Sequence, residues 1–213
     1  MRPIIGILGF QGDIEEHVSA TKLALSELDL KGGVMIAKNV EQVRAIDGLI
    51  IPGGESTVMG GLSSFNRAIE TVSERARAGM PVFGTCSGLI MLAKKVHDRV
   101  VGETSQPVLG ILDATAERNA FGRQRESFEA DLEISVLGIE KFRGVFIRAP
   151  VIKEIGPDVR VLSRLNESIV AVQQGNILAT AFHPELTADT RIHRYFLEMV
   201  MKSLPGDRNR ESE

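Results

Sequence analysis

Short apolar runs alternate with amphipathic ones through the first half of the chain, and this alternation restricts the fold more than any other feature. Ile4 to Leu8 is an uninterrupted apolar run, the mark of a strand buried on both faces. Asp13 is placed to cap a helix in which Ile14, Val18, Thr21, Leu25 and Leu28 share one face. Gly32-Gly33 stops that helix, and Val34 to Ala37 reads as the next strand. A short helix over Val40 to Ile46 and a strand over Gly48 to Ile51 follow, the strand ended by Pro52-Gly53-Gly54. Asn66 to Ala78 predicts a helix with Ile69, Val72 and Ala76 inward, Pro81 to Phe83 a fourth strand, and Leu89 to Ala93 a buried helix. Repeated strand–helix units with apolar strands require a parallel sheet covered on both faces.

The second half is patterned differently. Leu109 to Ala116, Phe128 to Val136, Val145 to Ala149, Val159 to Leu162, Ile169 to Gln173 and Ile177 to Phe182 all read as strands. Several are at hairpin spacing, which predicts antiparallel pairing. A last helix spans about Asp189 to Ser203, with Ile192, Phe196, Met199 and Val200 on its apolar face. The expected architecture is a three-layer α/β sandwich around a mixed, mostly parallel, flavodoxin-like sheet. Residues 1–204 form one domain, and 205–213 a polar, mobile tail.

Composition narrows the function. The 213 residues carry 25 Lys+Arg against 28 Asp+Glu, too even for bulk capture of nucleic acid or an anionic membrane. With no Trp and one Tyr, the core is expected to be aliphatic. The single cysteine, Cys86, excludes an intramolecular disulfide and a cysteine-rich zinc site, and fits a reducing compartment. The apolar N-terminus runs straight into Gln11-Gly12-Asp13-Ile14-Glu15-Glu16 without a small-residue cleavage site. No signal segment is therefore expected, and the location expected is the cytoplasm.

Cys86 lies in Gly84-Thr85-Cys86-Ser87-Gly88, between a strand and a helix. This is a nucleophile elbow with cysteine in place of serine. Such a turn holds the nucleophile in a strained conformation, and the flanking glycines remove clashing Cβ atoms. The competing reading is a buried structural cysteine in a glycine-rich turn. A thiol nucleophile needs a histidine, and that histidine an acceptor to orient it. Of four histidines, His17 lies on a helix of mixed face, His97 in the charged, solvated stretch Lys94 to Arg99, and His193 on the last helix in a surface or packing role. His183 stands at the end of an apolar strand in His183-Pro184-Glu185. In an extended segment, residues two apart point the same way, so the Glu185 carboxylate can reach the imidazole edge away from sulfur. The turn at Gly53-Gly54 can aim N–H groups into a cavity; with the Ser87 N–H these would form an oxyanion hole. An ordinary turn before a Ser/Thr helix cap is the alternative there.

Three blocks, Pro52-Gly53-Gly54-Glu55-Ser56, Gly84-Thr85-Cys86-Ser87-Gly88 and His183-Pro184-Glu185, resemble class I, triad-type glutamine amidotransferases. Further blocks narrow the match: Leu8-Gly9-Phe10-Gln11-Gly12 with Glu16-His17, Glu117 to Gln124, Glu126-Ser127-Phe128, and Val145 to Pro150. These are similar to the glutaminase subunits of two-protein pyridoxal 5′-phosphate synthases, over about residues 4 to 203. Ser87 departs from the pattern, where alanine is the more familiar residue, but it leaves the N–H in place.

The resemblance implies that L-glutamine is hydrolysed to glutamate and ammonia through a glutamyl thioester. Cys86 would be the nucleophile, His183 the base and acid, and Glu185 the orienting carboxylate. Gly53, Gly54 and Ser87 would form the oxyanion hole. Gly54, Glu55, Ser56, Arg118, Ile147 and Arg148 would hold the substrate. It also implies an ammonia-accepting pyridoxal 5′-phosphate synthase subunit as partner in a large hetero-oligomer. Neither a cofactor nor a metal on this chain is expected, and no nucleic-acid or membrane partner. The partner-facing surface is expected around Gln11 to Glu16 and near Thr57. Rival readings are a glutaminase subunit of another biosynthetic pathway, a cysteine hydrolase or peptidase on a related fold, and a scaffold with a relict site.

Overall fold

The computed structural model describes residues 2–54, 67–98, 102–103, 106–118, 120 and 127–205. The elements run β1 (Ile4–Leu8), α1 (Ile14–Glu27), β2 (Gly33–Ala37), α2 (Val40–Arg44), β3 (Gly48–Ile51), α3 (Ala68–Arg77), β4 (Val82–Thr85) and α4 (Ser87–Leu92). Then come β5 (Ala93–Asp98), β6 (Gly102–Glu103), β7 (Leu112–Arg118), β8 (Ser127–Leu132), β9 (Phe142–Ile147) and β10 (Val151–Ile155). The chain continues through β11 (Arg160–Leu165), β12 (Ser168–Gln174), β13 (Ile177–Thr180), a 3-10 turn at Pro184–Leu186, and α5 (Arg191–Ser203).

The main sheet has the order β2-β1-β3-β4-β13-β12-β10-β7-β5-β6, with β11 beside β12. From β2 to β13 every pairing is parallel. The fully apolar runs of β1, β3 and β4 sit in this half because both of its faces are covered. Beyond β13 the pairings of β12, β11 and β10 are antiparallel; hairpin spacing accounts for β11 with β12 and β12 with β13, while β10 joins β12 to β7 by longer connections. β8 and β9 form a separate antiparallel ribbon whose chain end delivers Ile147 and Arg148. No helix among the described residues is long and apolar enough to cross a membrane.

Three sequence expectations change. The charged stretch beginning at Lys94 is strand β5, with Lys94, Lys95 and His97 exposed and Val96 buried. Alternating burial gave it a strand's period, which its charge concealed. Val151–Ile155 is a strand that periodicity did not single out. The core is not purely aliphatic either: Phe83, Phe142, Phe146, Phe182 and Phe196 are its largest fully buried side chains. Phe146 and Phe182 lie 5.5 Å apart between centroids, and Phe146 stacks on Phe128 at 4.7 Å. Each fully buried phenylalanine contributes about 1.5–3 kcal/mol of hydrophobic stabilisation, and this cluster ties the ribbon to the His183 segment.

Candidate active site

The site is built where β4 and β13 end side by side. Their parallel ladder runs to Thr85 and Thr180, and the Cys86 N–H extends it by donating to the Thr180 carbonyl at 2.8 Å. At Cys86 the chain turns into α4 with φ 48° and ψ −107°. A non-glycine residue in that region is strained and persists only where its surroundings enforce it. The glycines explain how. A methyl group on Gly88 would lie 2.1 Å from the Ile51 carbonyl oxygen, and one on Gly84 would lie 2.6 Å from Gly88 backbone. The two glycines therefore let α4 sit directly against β3 and β4, which fixes the turn. Cys86 is 7% exposed, and its sulfur lies 3.8 Å from the Ile147 carbonyl oxygen.

His183 follows β13, its N–H donating to the Val145 carbonyl of β9 at 2.8 Å. Its ring donates from Nδ1 to Glu185 Oε1 at 2.7 Å. The pairing is the one expected, but the local geometry is not an extended segment. Pro184 opens a one-turn 3-10 helix, and that turn, rather than strand alternation, brings Glu185 back under the ring. Cys86 and His183 line the same cavity, and Cys86 is among the groups that raise the His183 pKa.

Asp13 was expected to cap α1. Its side chain makes no cap bond and instead places Oδ2 3.1 Å from His183 Nδ1. His183 thus faces two carboxylates. Burial opposes its charge, but hydrogen bonds to Asp13, Cys86 and Glu185 outweigh burial and push its pKa up to about 12. The hydrogen bond from His183 holds Asp13 below its ordinary value. Burial moves Glu185 the other way, upward, against the pull of His183. Asp13, His183 and Glu185 offer one ligand atom each within 4.8 Å of one another. His183 Nδ1 faces both Asp13 Oδ2 and Glu185 Oε1, so a ring proton there is shared between the two carboxylates.

The Gly53–Gly54 turn lies against this group. A methyl group on Gly53 would sit 2.4 Å from His183 Cε1, and one on Gly12 only 1.6 Å from the Gly53 carbonyl oxygen. Gly54 (φ 151°) and Gly12 (φ 102°) adopt conformations that side chains rarely take. Gln11 to Asp13 and the turn are therefore packed backbone to backbone.

A cavity of about 400 Å³ opens over the sulfur, lined among others by Gly54, Ser87, Arg118, Ile147, Arg148 and His183. That is within the usual size range for small-molecule sites, and two arginines in it suit a carboxylate-bearing ligand. Arg118 reaches the Gln106 side chain at 3.1 Å, while Arg148 is exposed, with φ 43°. Of the expected substrate-holding residues, Glu55 and Ser56 lie outside the described residues, as does Thr57 of the expected partner-facing surface. Gly53, Gly54, Ser87, Arg118, Ile147 and Arg148 all gather around Cys86, His183 and Glu185.

His97 is exposed, as expected. His17 and His193 are 0% and 1% exposed; their rings meet at a tilt, 5.4 Å between centroids, with His17 Nε2 3.3 Å from Glu185 Oε2. The only sequence signal for either was the Glu16-His17 pair in the first resemblance block.

A cysteine on a strained elbow, a histidine beside it and a carboxylate on the histidine, at the end of a parallel sheet, form an arrangement suited to cysteine-dependent acyl transfer. Residues 7–202 match the model of the SNO glutamine amidotransferase family, and the chain belongs to that family. It is 48% identical over 199 residues to "Pyridoxal 5′-phosphate synthase subunit PdxT" of Nitrosopumilus maritimus, covering 93% of this chain and 97% of the relative. It is 51% identical over 197 residues to the protein of the same name from Methanosarcina acetivorans, covering 92% and 98%. A solved structure described as "Crystal structure of glutamine amidotransferase" superposes with a TM-score of 0.80 at 46% identity, covering 92% of this chain and 98% of that one.

Proposed function

We infer that this chain is the glutaminase subunit of a pyridoxal 5′-phosphate synthase, releasing ammonia from L-glutamine for a partner synthase subunit. The observation that carries the chemistry is Cys86 and His183 lining one cavity, with Glu185 buried behind His183 and bonded to its ring. The pathway rests on family membership and on the names of relatives that match nearly end to end.

The mechanism follows from what each group can do. Cys86 gives its proton to His183, and the sulfur attacks the side-chain carbonyl carbon of glutamine. The resulting oxyanion is met by N–H groups of the Gly53–Gly54 turn and of Ser87. His183, favoured in its protonated form by two carboxylates, passes a proton to the departing nitrogen. Ammonia leaves, and a γ-glutamyl thioester remains on Cys86. Water then attacks the thioester with His183 as base, and glutamate is released. Glu185 holds the imidazole ring throughout. Arg118 and Arg148, with the Ile147 backbone and residues 54–56, hold the α-amino-acid end of the substrate.

Ammonia released into bulk water would be protonated and lost. A partner subunit in a large hetero-oligomer, seated over the cavity near Gln11 to Glu16, receives it directly. The reaction calls for no cofactor on this chain, and a lone cysteine fits a reducing compartment such as the cytoplasm.

A glutamine-mimicking diazoketone, 6-diazo-5-oxo-L-norleucine, tests the assignment. Mass spectrometry is expected to find the adduct on Cys86, with excess L-glutamine protecting it. Modification elsewhere, or no protection, overturns the assignment.

A further inference from the structure

Behind Glu185 lies a polar cluster that the mechanism above does not use. His17 of α1, Thr85 at the end of β4 and His193 of α5 are all fully or almost fully buried. His17 Nε2 lies 3.1 Å from Thr85 Oγ1 and 3.3 Å from Glu185 Oε2, and His17 Nδ1 lies 3.2 Å from His193 Nε2. Phe83 closes the cluster edge-on, 6.4 Å from His17 and 6.0 Å from His193 between centroids.

The protons in this cluster can be placed. Burial, helped by His193 and His183, drives the pKa of His17 well below its ordinary value, and burial alone takes His193 down to about 4. Each ring is therefore neutral and carries one N–H. Among the described residues, Nδ1 of His193 is buried without a hydrogen-bond partner. A bare nitrogen is a milder orphan than an unmet N–H, so the His193 proton sits on Nε2 and is donated to His17 Nδ1. The His17 proton is thereby forced onto Nε2, which faces Thr85 and Glu185. On the other side, Glu185 Oε2 is buried and meets no hydrogen bond of good geometry among the described residues; His17 Nε2 stands 3.3 Å away. A buried carboxylate oxygen requires a donor when the carboxylate carries charge.

We propose that His17, locked as its Nε2–H tautomer by His193, is a positioning residue that holds the Glu185 carboxylate through Oε2 while Oε1 receives the His183 proton. His17 stays neutral and touches no substrate. It fixes the plane of the carboxylate and thereby the angle at which His183 meets the sulfur. Thr85 Oγ1, 3.1 Å from His17 Nε2, shares the same N–H. The proposal rests on the triad reading given above.

The test compares His17→Leu, which removes the donor, with His17→Gln, which keeps one, and with His193→Phe, which releases the tautomer. Each is assayed as the full chain with the synthase partner. Loss of one hydrogen bond to a charged group predicts a fall in kcat of about 10- to 100-fold in His17→Leu, with the KM for glutamine unchanged. His17→Gln is expected to recover most of that loss. Alkylation of Cys86 by iodoacetamide at neutral pH is expected to slow in parallel, and this readout does not require glutamine to be the substrate. Long-range 1H–15N correlation on the unsubstituted chain is expected to show the proton of His17 on Nε2, and this decides the matter if the variants fail to fold. A folded His17→Leu protein with parental kcat and parental alkylation overturns the proposal, as does a glutamine variant no better than leucine or a His17 proton on Nδ1. If no ammonia forms in any protein, the glutaminase reading fails, while alkylation and the tautomer still judge His17.

Discussion

Replacing Gly53 by alanine displaces the His183 ring without altering the ring itself. The added methyl group would lie 2.4 Å from His183 Cε1, 3.0 Å from its Nδ1 and 3.2 Å from Asp13 Oδ2. Gly53 is not among the residues with positive φ, so its backbone accepts alanine and the strain falls on the ring. Ordinary carbon–carbon contact requires His183 to retreat by about 1 Å. A ring that moves this far cannot keep its 2.7 Å bond to Glu185 and its approach to the sulfur together. Misplacement of a reacting group by about 1 Å lowers rates by about 100-fold, so kcat for ammonia release is expected to fall by that order. Overpacking of this kind destabilises by about 1–3 kcal/mol, or a drop in Tm of about 2–4 °C per kcal/mol for a chain of this size. The matched control is Gly33→Ala on β2, where a methyl group meets nothing within 4 Å. Ammonia release is followed by coupling to glutamate dehydrogenase, with circular dichroism to confirm the fold. A folded Gly53→Ala protein that turns over at the parental rate refutes the close packing of the turn on His183.

Two further outcomes follow from the buried charges. The folded-state pKa of His193 lies near 4, below its ordinary value of 6.5, so the unfolded chain binds more protons as pH falls and stability is lost from about pH 6.5 downward. Linkage puts the loss at about 2 kcal/mol by pH 5 for His193 alone, with His17 adding in the same direction. Urea titrations at pH 7.5 and 5 measure it, and equal midpoints would contradict neutral, buried histidines. In Asp13→Asn, one of the groups that raise His183 disappears, so His183 loses its proton at lower pH. The alkaline limit of kcat is then expected to move down in pH, and an unmoved limit would show that Asp13 does not act on the ring.

The parallel half of the fold was legible because its strands are buried on both faces and its turns carry glycine. The elbow and the His183–Glu185 pair were legible for a related reason, since each lies within a few consecutive residues. Strand β5 was obscured by Lys94 and Lys95, whose exposed side chains hide a buried Val96 between charged neighbours. The extended reading of the His183-Pro184-Glu185 segment failed because a strand and a 3-10 turn can both bring Glu185 to the same ring edge, and only the dihedrals separate them. Asp13 looked like a cap because no local pattern reports a histidine 170 positions away. His17 and His193 are separated by 176 positions, and their meeting depends on α1 packing against α5. Spacing along one helix does not encode such a contact.

The central claim is that Cys86 releases ammonia from glutamine on behalf of a partner. Its most direct test is ammonia release from L-glutamine by this chain, alone and mixed with a pyridoxal 5′-phosphate synthase subunit, beside a Cys86→Ala control. The account predicts release that rises when the synthase subunit is added and vanishes in the control. Release that persists in Cys86→Ala, or none with the partner present, would contradict it.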